Sequence, residues 1–288
     1  MYFDKKLKYI TYASSTILSI IFLSLLFYLG SFYPEPPYWI PLSIEVNNVI
    51  VCSIILVLLP PASVEFLNNR WLDGVEKNVH RLLQDVTEEV KSGEPLINSL
   101  EVSTSSDYGP ISPLLRESLV RFSLTSNFRD AMNWFGANLV KPVGNQMASI
   151  LLESYETGGE ITDVLISSVK LFKTIEDDRL HRKSQTRPYL FVIYTGLVIF
   201  ILISYVLLNQ FLIHFQFNDE VASLSQAGIS LASVNLDYYA SILYWAAIVE
   251  SLVGGLVVGK MTEGKVSAGL IHSILMVIIT LLLYNFLI

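Results

Sequence analysis

Long apolar runs alternate with polar stretches along the chain, and five of the runs are long enough to cross a membrane. A hydrocarbon core of about 30 Å needs about 20 helical residues. Two such runs precede a polar stretch at residues 68–187, and three follow it. The predicted spans are 10–32, 48–66, 189–213, 237–259 and 266–288. The first run is too long for a signal peptide and is interpreted as a signal anchor.

Within residues 68–187, apolar residues recur every three or four positions, which predicts amphipathic helices. The first helix carries this series of apolar residues: Leu72, Val75, Val79, Leu82, Val86 and Val90. The segment Ser92-Gly93-Glu94-Pro95 ends it, since Gly suits the position after a helix and Pro the first turn of the next. Five further helices follow, and the last is predicted to end in a basic run before Pro188. Six helices joined by short loops are typical of an antiparallel bundle.

The uneven distribution of basic residues predicts the orientation in the membrane. Of 19 Lys and Arg residues, three precede the first span, fourteen lie between Arg70 and Arg187, and two lie in the turn at 260–265. Cytoplasmic segments of membrane proteins carry the excess of Lys and Arg. We therefore expect the N-terminus and the polar stretch in the cytoplasm, the C-terminus outside, and the protein in the cell (inner or cytoplasmic) membrane.

The predicted fold class is all-α: a polytopic membrane protein with five transmembrane helices and a cytoplasmic antiparallel six-helix bundle between spans 2 and 3. Three domains are expected, namely an N-terminal membrane hairpin at 1–67, the helical domain at 68–187 and a C-terminal membrane region at 188–288. The composition agrees with a membrane protein, because 52% of the residues are hydrophobic and 16% are charged. Soluble domains have about 25% charged residues.

Composition and motifs disfavour several kinds of function. The net charge of −7 gives no basic face for nucleic acid. A single cysteine excludes an intrachain disulfide and a thiolate metal cluster. That residue, Cys52, lies in an apolar run, so we expect a buried and inert thiol. Four scattered histidines lack metal-ligand spacing, and no catalytic motif occurs, so no cofactor, metal or enzymatic activity is expected.

The stretch from Gly254 to Lys260 fits the spacing of a phosphate-binding loop but lacks its context. Met261 follows in place of Ser or Thr, and the stretch ends an apolar helix instead of following a strand. Gly255 and Gly259 are spaced as G-x-x-x-G, which favours close packing of membrane helices. We therefore expect them to pack against another span.

Glu250 and His272 are ionisable residues inside predicted spans. The two helices are joined by a short turn, so we expect the side chains to come within reach of each other. An ionisable residue at this depth suggests a proton or ion step. The other interpretation is a buried hydrogen-bonded pair that fixes helix register. We favour the second, because no further acidic residue continues a relay through the spans.

A cluster of charges lies at the end of the polar stretch. It combines acidic residues with a basic run, and its members are Glu176, Asp177, Asp178, Arg179, Arg182, Lys183 and Arg187. The cluster fits a docking surface for a partner protein. It fits a solvated helix face equally well, so both interpretations stay open.

Several motifs follow one another in a recognisable order. In the polar stretch they are Ser92-Gly93 with Leu96 and Leu100, Asp107-Tyr108-Gly109-Pro110, Asn127-Phe128-Arg129-Asp130-Ala131-Met132, and Gly158-Gly159-Glu160-Ile161. Later ones are Ile193-Tyr194 and Gly269-Leu270-Ile271-His272-Ser273. With this membrane layout, they resemble the type II secretion system F-domain family and, in the later motifs, its archaeal members. The resemblance is strongest over 71–213.

The family supplies inner-membrane platform proteins of type IV pilus, tight-adherence and archaellum assembly machines. The resemblance implies a non-enzymatic scaffold whose cytoplasmic domain sits on a hexameric secretion ATPase. It also implies that the scaffold passes movements of the ATPase to prepilin or pilin subunits drawn from the membrane lipid. The break at Gly158, Gly159 and Glu160 is interpreted as a helix stop, with a hinge as the alternative.

Unlike many relatives, this sequence has one such domain instead of a tandem pair, and the turn at 260–265 is too short to hold a second. We therefore expect a homodimer, since C₂ pairing is the commonest closed arrangement. Which filament is built stays open. The alternative function is a small secondary transporter or channel that uses Glu250 and His272. The absence of an inverted repeat and of broken helices argues against it.

Overall fold

The computed structural model describes residues 5–28, 40–139, 142–157, 161–212 and 236–287, and every regular element in these ranges is helical. This confirms the all-α prediction. The α-helices in these ranges are α1 (Lys5–Tyr28), α2 (Ile44–Lys91), α3 (Leu96–Ser103), α4 (Ile111–Thr125), α5 (Phe128–Asn138), α6 (Val143–Thr157), α7 (Ile161–Val206), α8 (Leu236–Glu263) and α9 (Leu270–Leu287). A π-helical segment, Leu207–Leu212, follows α7, and a 3₁₀ segment, Val266–Gly269, precedes α9.

The chain divides into two compact units. In the described part of the chain, the central unit consists of Leu67–Ser184, and the apolar unit combines residues 5–66 with 185–287. The helices α2 and α7 are continuous, with 48 and 46 residues. The boundary between the units falls inside each of them, so both helices contribute residues to both units. Five described stretches are long and apolar enough to cross a membrane: Lys6–Ser24, Ile44–Lys91, Ile161–Gln210, Leu236–Glu263 and Val266–Leu287.

The helix α7 passes through Pro188 without interruption, so the prediction that a helix ends before this proline is wrong. Proline removes one N–H donor and frees the carbonyl four residues earlier. Here that carbonyl belongs to Ser184, which is exposed, so that a solvent or headgroup donor can satisfy it. One lost hydrogen bond does not outweigh the others in a helix of this length. Likewise, α2 contains Pro60 and Pro61 in its interior.

Six helical segments share the core of the central unit, namely the second half of α2, the helices α3 to α6 and the first half of α7. Their buried residues include Leu82, Val86, Leu100, Leu115, Phe135, Met147, Leu151 and Leu165. Burial of one such side chain contributes about 1.5–3 kcal/mol. Of the apolar series predicted for the first helix, Leu72 is partly buried and the other five residues are buried.

The turn between α3 and α4 explains the motif Asp107-Tyr108-Gly109-Pro110. Oδ1 of Asp107 accepts a hydrogen bond of 2.8 Å from the N–H of Gly109, and Gly109 has a φ of +57°, which glycine adopts without steric cost. The turn buries Tyr108, whose hydroxyl donates to Asp85 Oδ2 of α2 at 2.6 Å. Burial raises the pKa of the Tyr108 phenol, and the hydrogen bond to Asp85 raises it further.

Two helix ends in the central unit have side-chain or glycine caps, and the glycine cap lies in the predicted stop at 92–95. The side chain of Asn127 accepts a hydrogen bond from the N–H of Asp130 at 3.1 Å and caps α5, which satisfies one of the free donors of the first turn. Gly93, after the end of α2, has a φ of +99°. This left-handed conformation is common just after a helix and favours glycine.

The apolar unit has its own core, which α2, α7, α8 and α9 supply. Its buried residues are Val51, Leu197, Ile201, Tyr244, Ala247, Ile248, Met276, Val277 and Tyr284. Cys52 follows Val51 directly but is exposed on α2, so the expectation of a buried thiol is wrong. An apolar helix is hydrophobic on all sides, and its composition alone does not show which side faces other helices.

Candidate functional site

The charge cluster of α7 faces α2 with part of its residues. Arg179 forms ion pairs with Asp73 and Glu76, one through each terminal nitrogen of its guanidinium group. One turn further along, Lys183 Nζ lies 3.2 Å from Asp73 Oδ2. All four residues belong to the central unit. The two helices are therefore joined by a charged contact.

A histidine extends this contact by one turn. His80 Nδ1 of α2 lies 3.6 Å from Glu176 Oε2 of α7. Glu176, Arg179 and Lys183 are three and four positions apart, so they lie on one face of the helix. We call the six contacting residues the clasp: Asp73, Glu76, His80, Glu176, Arg179 and Lys183.

The other charges of the cluster point elsewhere. Asp177 and Asp178 are exposed on the flank of α7, as is Arg182. Arg187 is exposed too but belongs to the apolar unit. The predicted docking cluster is thus divided into the clasp, which binds α7 to α2, and an exposed set. Sequence reasoning did not find Asp73, Glu76 and His80, because nothing in the spacing of α2 marks them as partners.

Three glycines bring α8 and α9 into close contact. A Cβ atom at Gly255 would lie 2.2 Å from the backbone nitrogen of Ser273, and one at Gly259 would lie 1.9 Å from that of Gly269. At Gly269 it would lie 2.5 Å from the carbonyl oxygen of Gly255. No side chain fits at any of these positions. The structure therefore places the G-x-x-x-G pair directly at a helix contact, together with Gly269, which the spacing did not mark.

Hydroxyl groups complete this helix contact. Ser273 Oγ of α9 donates to the carbonyl oxygen of Leu252 at 2.8 Å, and the hydroxyls of Ser251 and Thr280 lie 2.8 Å apart. Small residues and hydroxyl groups are the usual means by which membrane helices associate. The pair α8–α9 is therefore fixed by both backbone approach and interhelical hydrogen bonds.

No hydrogen bond or ion pair joins the two ionisable residues of the predicted spans, both of which the structure describes. His272 Nδ1 lies 3.0 Å from the hydroxyl of Tyr194 of α7, and the two rings meet edge to face. Glu250 forms no hydrogen bond or ion pair within the described ranges. The expected pair of Glu250 and His272 is therefore replaced by a contact between His272 and Tyr194, and Glu250 stands apart from it.

A polar network near the starts of α2 and α8 escaped the sequence reasoning. Asn47 is buried, and its side-chain amide nitrogen donates to Ser241 Oγ at 3.1 Å. Its side-chain oxygen, Oδ1, accepts from Trp245 Nε1 at 2.9 Å. Tyr244 donates to Asn48 Oδ1 at 2.8 Å. A cavity of about 470 Å³ adjoins this network, and its lining includes Ser43, Asn47, Asp237, Ser241, Tyr244 and Tyr284.

Glu65 joins α2 to α1 through a second polar contact within the apolar unit. Its Oε1 accepts from Lys8 Nζ at 2.7 Å and from the Tyr12 hydroxyl at 3.1 Å. Further along, the hydroxyls of Ser19 and Ser53 lie 2.6 Å apart. These contacts orient α1 on α2.

The helix break at Gly158, Gly159 and Glu160 lies outside the described residues.

The contacts described above hold helices to one another. No set of three or more His, Cys, Asp or Glu side chains that could hold a metal ion lies together in the part of the chain that the structure describes. Fold and contacts define a class of protein: an all-helical membrane protein with several spans and a helical unit inserted in the sequence between them.

Comparison with known families carries this assignment further. Residues 82–208 match the family Type II secretion system (T2SS), protein F, which confirms the resemblance drawn from the motifs. This stretch of the chain is similar to the F domain of that family. It runs from the buried part of α2 into α7 and contains the three clasp residues of α7, whereas Asp73, Glu76 and His80 of α2 precede it.

One relative is a curated protein of Methanocaldococcus jannaschii that is described as uncharacterized. It is 24% identical over 247 residues, which cover 83% of this chain and 38% of that protein. The chain therefore corresponds to less than half of the length of this relative. No solved structure matches the chain.

Proposed function

We propose that the protein is a membrane platform of a type IV pilus-like or archaellum assembly machine, which couples a cytoplasmic secretion ATPase to the insertion or extraction of pilin subunits. The observation that carries the proposal is the F domain at 82–208, which overlaps a helical unit with a core of its own. The helices α2 and α7 each continue from this unit into an apolar stretch. Such continuity suits a scaffold that passes movement along its helices.

In the proposed arrangement, the N-terminus and the central unit lie in the cytoplasm and the C-terminus lies outside the cell membrane. The central unit is then an antiparallel six-helix bundle on the cytoplasmic side. Support comes from the basic residues, fourteen of which lie between Arg70 and Arg187, whereas the stretches 9–69 and 188–259 contain none. Positive residues favour the cytoplasmic side.

The partner on the cytoplasmic side is, in this proposal, a hexameric ATPase that binds the exposed flank of α7. Asp177 and Asp178 are exposed there, and charges on an open flank give salt-sensitive association. Arg179 and Lys183 are occupied by Asp73 and Glu76. We therefore assign docking to Asp177 and Asp178, and assign the clasp to holding α7 on α2.

In the membrane, the partners are prepilin or pilin subunits and a second copy of this chain. The matched stretch takes up 38% of the M. jannaschii relative, so that relative has room for a second stretch of equal length. We propose that two copies of this chain associate as a homodimer, which brings two such stretches together. The transporter alternative is less well supported, because His272 contacts Tyr194 and not Glu250.

The test is binding of the ATPase encoded in the same genome to the full-length protein in lipid nanodiscs. Saturable binding that weakens between 50 and 500 mM salt, about a threefold change in screening length, is the expected result. Empty nanodiscs serve as the control. Absence of binding by a folded, helical protein would overturn the platform proposal.

Two variants separate docking from stability. Replacement of Asp177 and Asp178 by Lys is expected to lower ATPase affinity about tenfold or more, because two attractive contacts become repulsive. The thermal stability of this double variant should stay unchanged. Arg179→Ala, which opens the clasp, is expected to lower stability and to leave affinity nearly unchanged below its melting temperature. The reverse pattern would move docking to the clasp.

A further inference from the structure

Glu250 occupies an unusual position within the apolar unit. It lies halfway along α8, about 20 Å from either end at 1.5 Å per residue. It is the one charged residue in the sequence between Asp237 and Lys260. A carboxyl group at the centre of a membrane span is costly, and such groups are almost always paired or face the interior of a helix bundle.

Glu250 has no partner in the described part of the chain. It is partly buried, yet no hydrogen bond or ion pair reaches its carboxyl group. His272, which the turn between α8 and α9 brings nearest in the sequence, contacts Tyr194. A group with this cost and no partner among the described residues calls for a donor beyond them, and a donor on another molecule satisfies this need.

The surroundings of Glu250 show that it stands at the edge of an open helix face. Gly254, one turn further along α8, lies against Ile193 of α7 and Met276 of α9. On the other side of Glu250, an exposed stripe of small apolar residues follows the helical repeat: Ala246, Val249, Val253 and Val257. Val249 and Val253 are each more than half exposed. This stripe with Glu250 at its edge is called the Glu250 face.

We propose that the Glu250 face binds a transmembrane helix of a different membrane protein, one that carries a basic, hydrogen-bond-donating group near the middle of its span. The small apolar side chains let a helix approach closely, and the carboxyl group of Glu250 pairs with the basic group. Charge complementarity selects this occupant. The proposal does not depend on the platform function.

Other occupants lack the required chemistry. A second copy of this chain has no Lys or Arg in residues 9–69, 188–259 or 266–288, so its spans offer no permanent cation at this depth. A symmetric contact would instead bring two Glu250 carboxyl groups together. Lipid acyl chains have no donor at all. The partner is therefore another protein.

A designed probe tests the face directly. The full-length protein is reconstituted in phosphatidylcholine vesicles with a labelled 20-residue Leu/Ala transmembrane peptide that carries a central Lys. Matched peptides carry a central Leu or Glu. Energy transfer from a dye on the protein should show that the Lys peptide binds about three- to twentyfold more tightly than the Leu peptide, the range of interhelical polar contacts in membranes.

Variants assign the effect to Glu250. The preference for the Lys peptide should disappear in Glu250→Leu and shrink in Glu250→Gln, while Val253→Trp should weaken both peptides by blocking the stripe. The control Glu45→Gln, which removes an exposed carboxylate in the first turn of α2, should behave as wild type. Equal binding of the Lys and Leu peptides, or a preference that survives in Glu250→Leu, would overturn the proposal.

A photo-crosslinking residue at Val253 tests the same face in the native membrane. A crosslink to another membrane protein supports the proposal if the captured span contains a basic residue and if Glu250→Leu abolishes the crosslink. Exchange of the acidic residue at 250 with the partner's basic residue should then restore it. A crosslink to a second copy of this chain would instead make the face a homodimer interface and refute the assignment.

Discussion

Arg179 fixes α7 to α2, and Arg179→Ala should therefore destabilise the central unit. The substitution removes ion pairs with both Asp73 and Glu76. Partly exposed pairs contribute about 0.2–1 kcal/mol each, so the free energy of unfolding should fall by about 0.4–2 kcal/mol. Urea titration of the protein in detergent, followed by tryptophan fluorescence in a background where Trp39 and Trp245 are replaced by Phe so that Trp71 and Trp134 report, measures this loss.

Arg129→Ala is the matched control. It removes the ion pair between Arg129 and Glu156. The side chain of Arg129 is 63% exposed and that of Glu156 is 51% exposed, whereas that of Arg179 is 21% exposed. The smaller burial predicts a smaller loss, and 1 M salt should reduce the difference between the variants because it screens charges beyond about 3 Å. Equal losses in both variants would show that the clasp does not stabilise the unit.

Tyr108 makes the stability of the central unit depend on pH in the alkaline range. Its pKa in the folded protein is raised above 10.0 by burial and by Asp85, so above this pH the unfolded state releases a proton that the folded state keeps. The contribution of Tyr108 is complete below pH 10 and is lost as the pH rises through the folded pKa. Tyr108→Phe should cost about 1–2 kcal/mol at pH 8, because Asp85 loses its donor.

The comparison that checks Tyr108 is the difference between wild type and Tyr108→Phe at pH 8 and at pH 10.5 to 11. The advantage of wild type should shrink across this range, while the other tyrosines and the lysines titrate equally in both proteins. An advantage that stays constant would mean that the phenol does not titrate differently on folding.

At the level of single residues, the sequence located charged groups but not their partners. The charge cluster was visible, yet Arg179 and Asp73 are 106 positions apart, and a helix face that contacts another helix carries the same residue types as a solvated one. The same limit applies to His272, whose partner Tyr194 is 78 positions away. The G-x-x-x-G pair was predictable because glycine spacing is a local property.

At the level of helices, Gly259 sets the distance between α8 and the 3₁₀ segment before α9. A Cβ atom there would lie 1.9 Å from the backbone nitrogen of Gly269, and a backbone atom cannot move aside as a flexible side chain does. Gly259→Ala should therefore cost about 1–3 kcal/mol and lower the Tm of the apolar unit. Circular dichroism during heating of the full-length protein in detergent measures it.

Gly196→Ala provides the contrast, since a Cβ at this position in α7 meets no atom within 4 Å. Because alanine is the better helix former by about 0.5–1 kcal/mol, this variant should be as stable as wild type or slightly more so. A Gly259→Ala protein as stable as Gly196→Ala would contradict the close approach of the two elements.

The helices themselves were largely predictable, since apolar spacing and the glycine-proline stop at 92–95 depend on local sequence. The errors came where context decides. Pro188 was expected to end a helix, but the continuation of α7 on both sides outweighs one lost hydrogen bond. Cys52 was expected inside, but an apolar helix with no polar side does not reveal its contact face.

For the whole molecule, the proposed orientation predicts which surface positions a membrane-impermeant maleimide reaches. In a Cys52→Ser background, Ser43→Cys should be labelled in intact cells. This exposed position directly precedes the start of α2 at Ile44. Ser105→Cys, exposed after α3, should be labelled only after lysis, because the basic residues of the central unit favour the cytoplasm. Labelling of Ser105→Cys in intact cells would reverse the topology.

The proposed homodimer and the Glu250 face make linked predictions about assembly. A homodimer of the 288-residue chain, whose mass is 32.4 kDa, should give twice that mass by native mass spectrometry after release from nanodiscs. Glu250→Leu should leave this mass unchanged, since the face is assigned to a different protein. A monomer in active preparations would refute the dimer, whereas loss of the dimer in Glu250→Leu alone would place Glu250 at the interface between two copies.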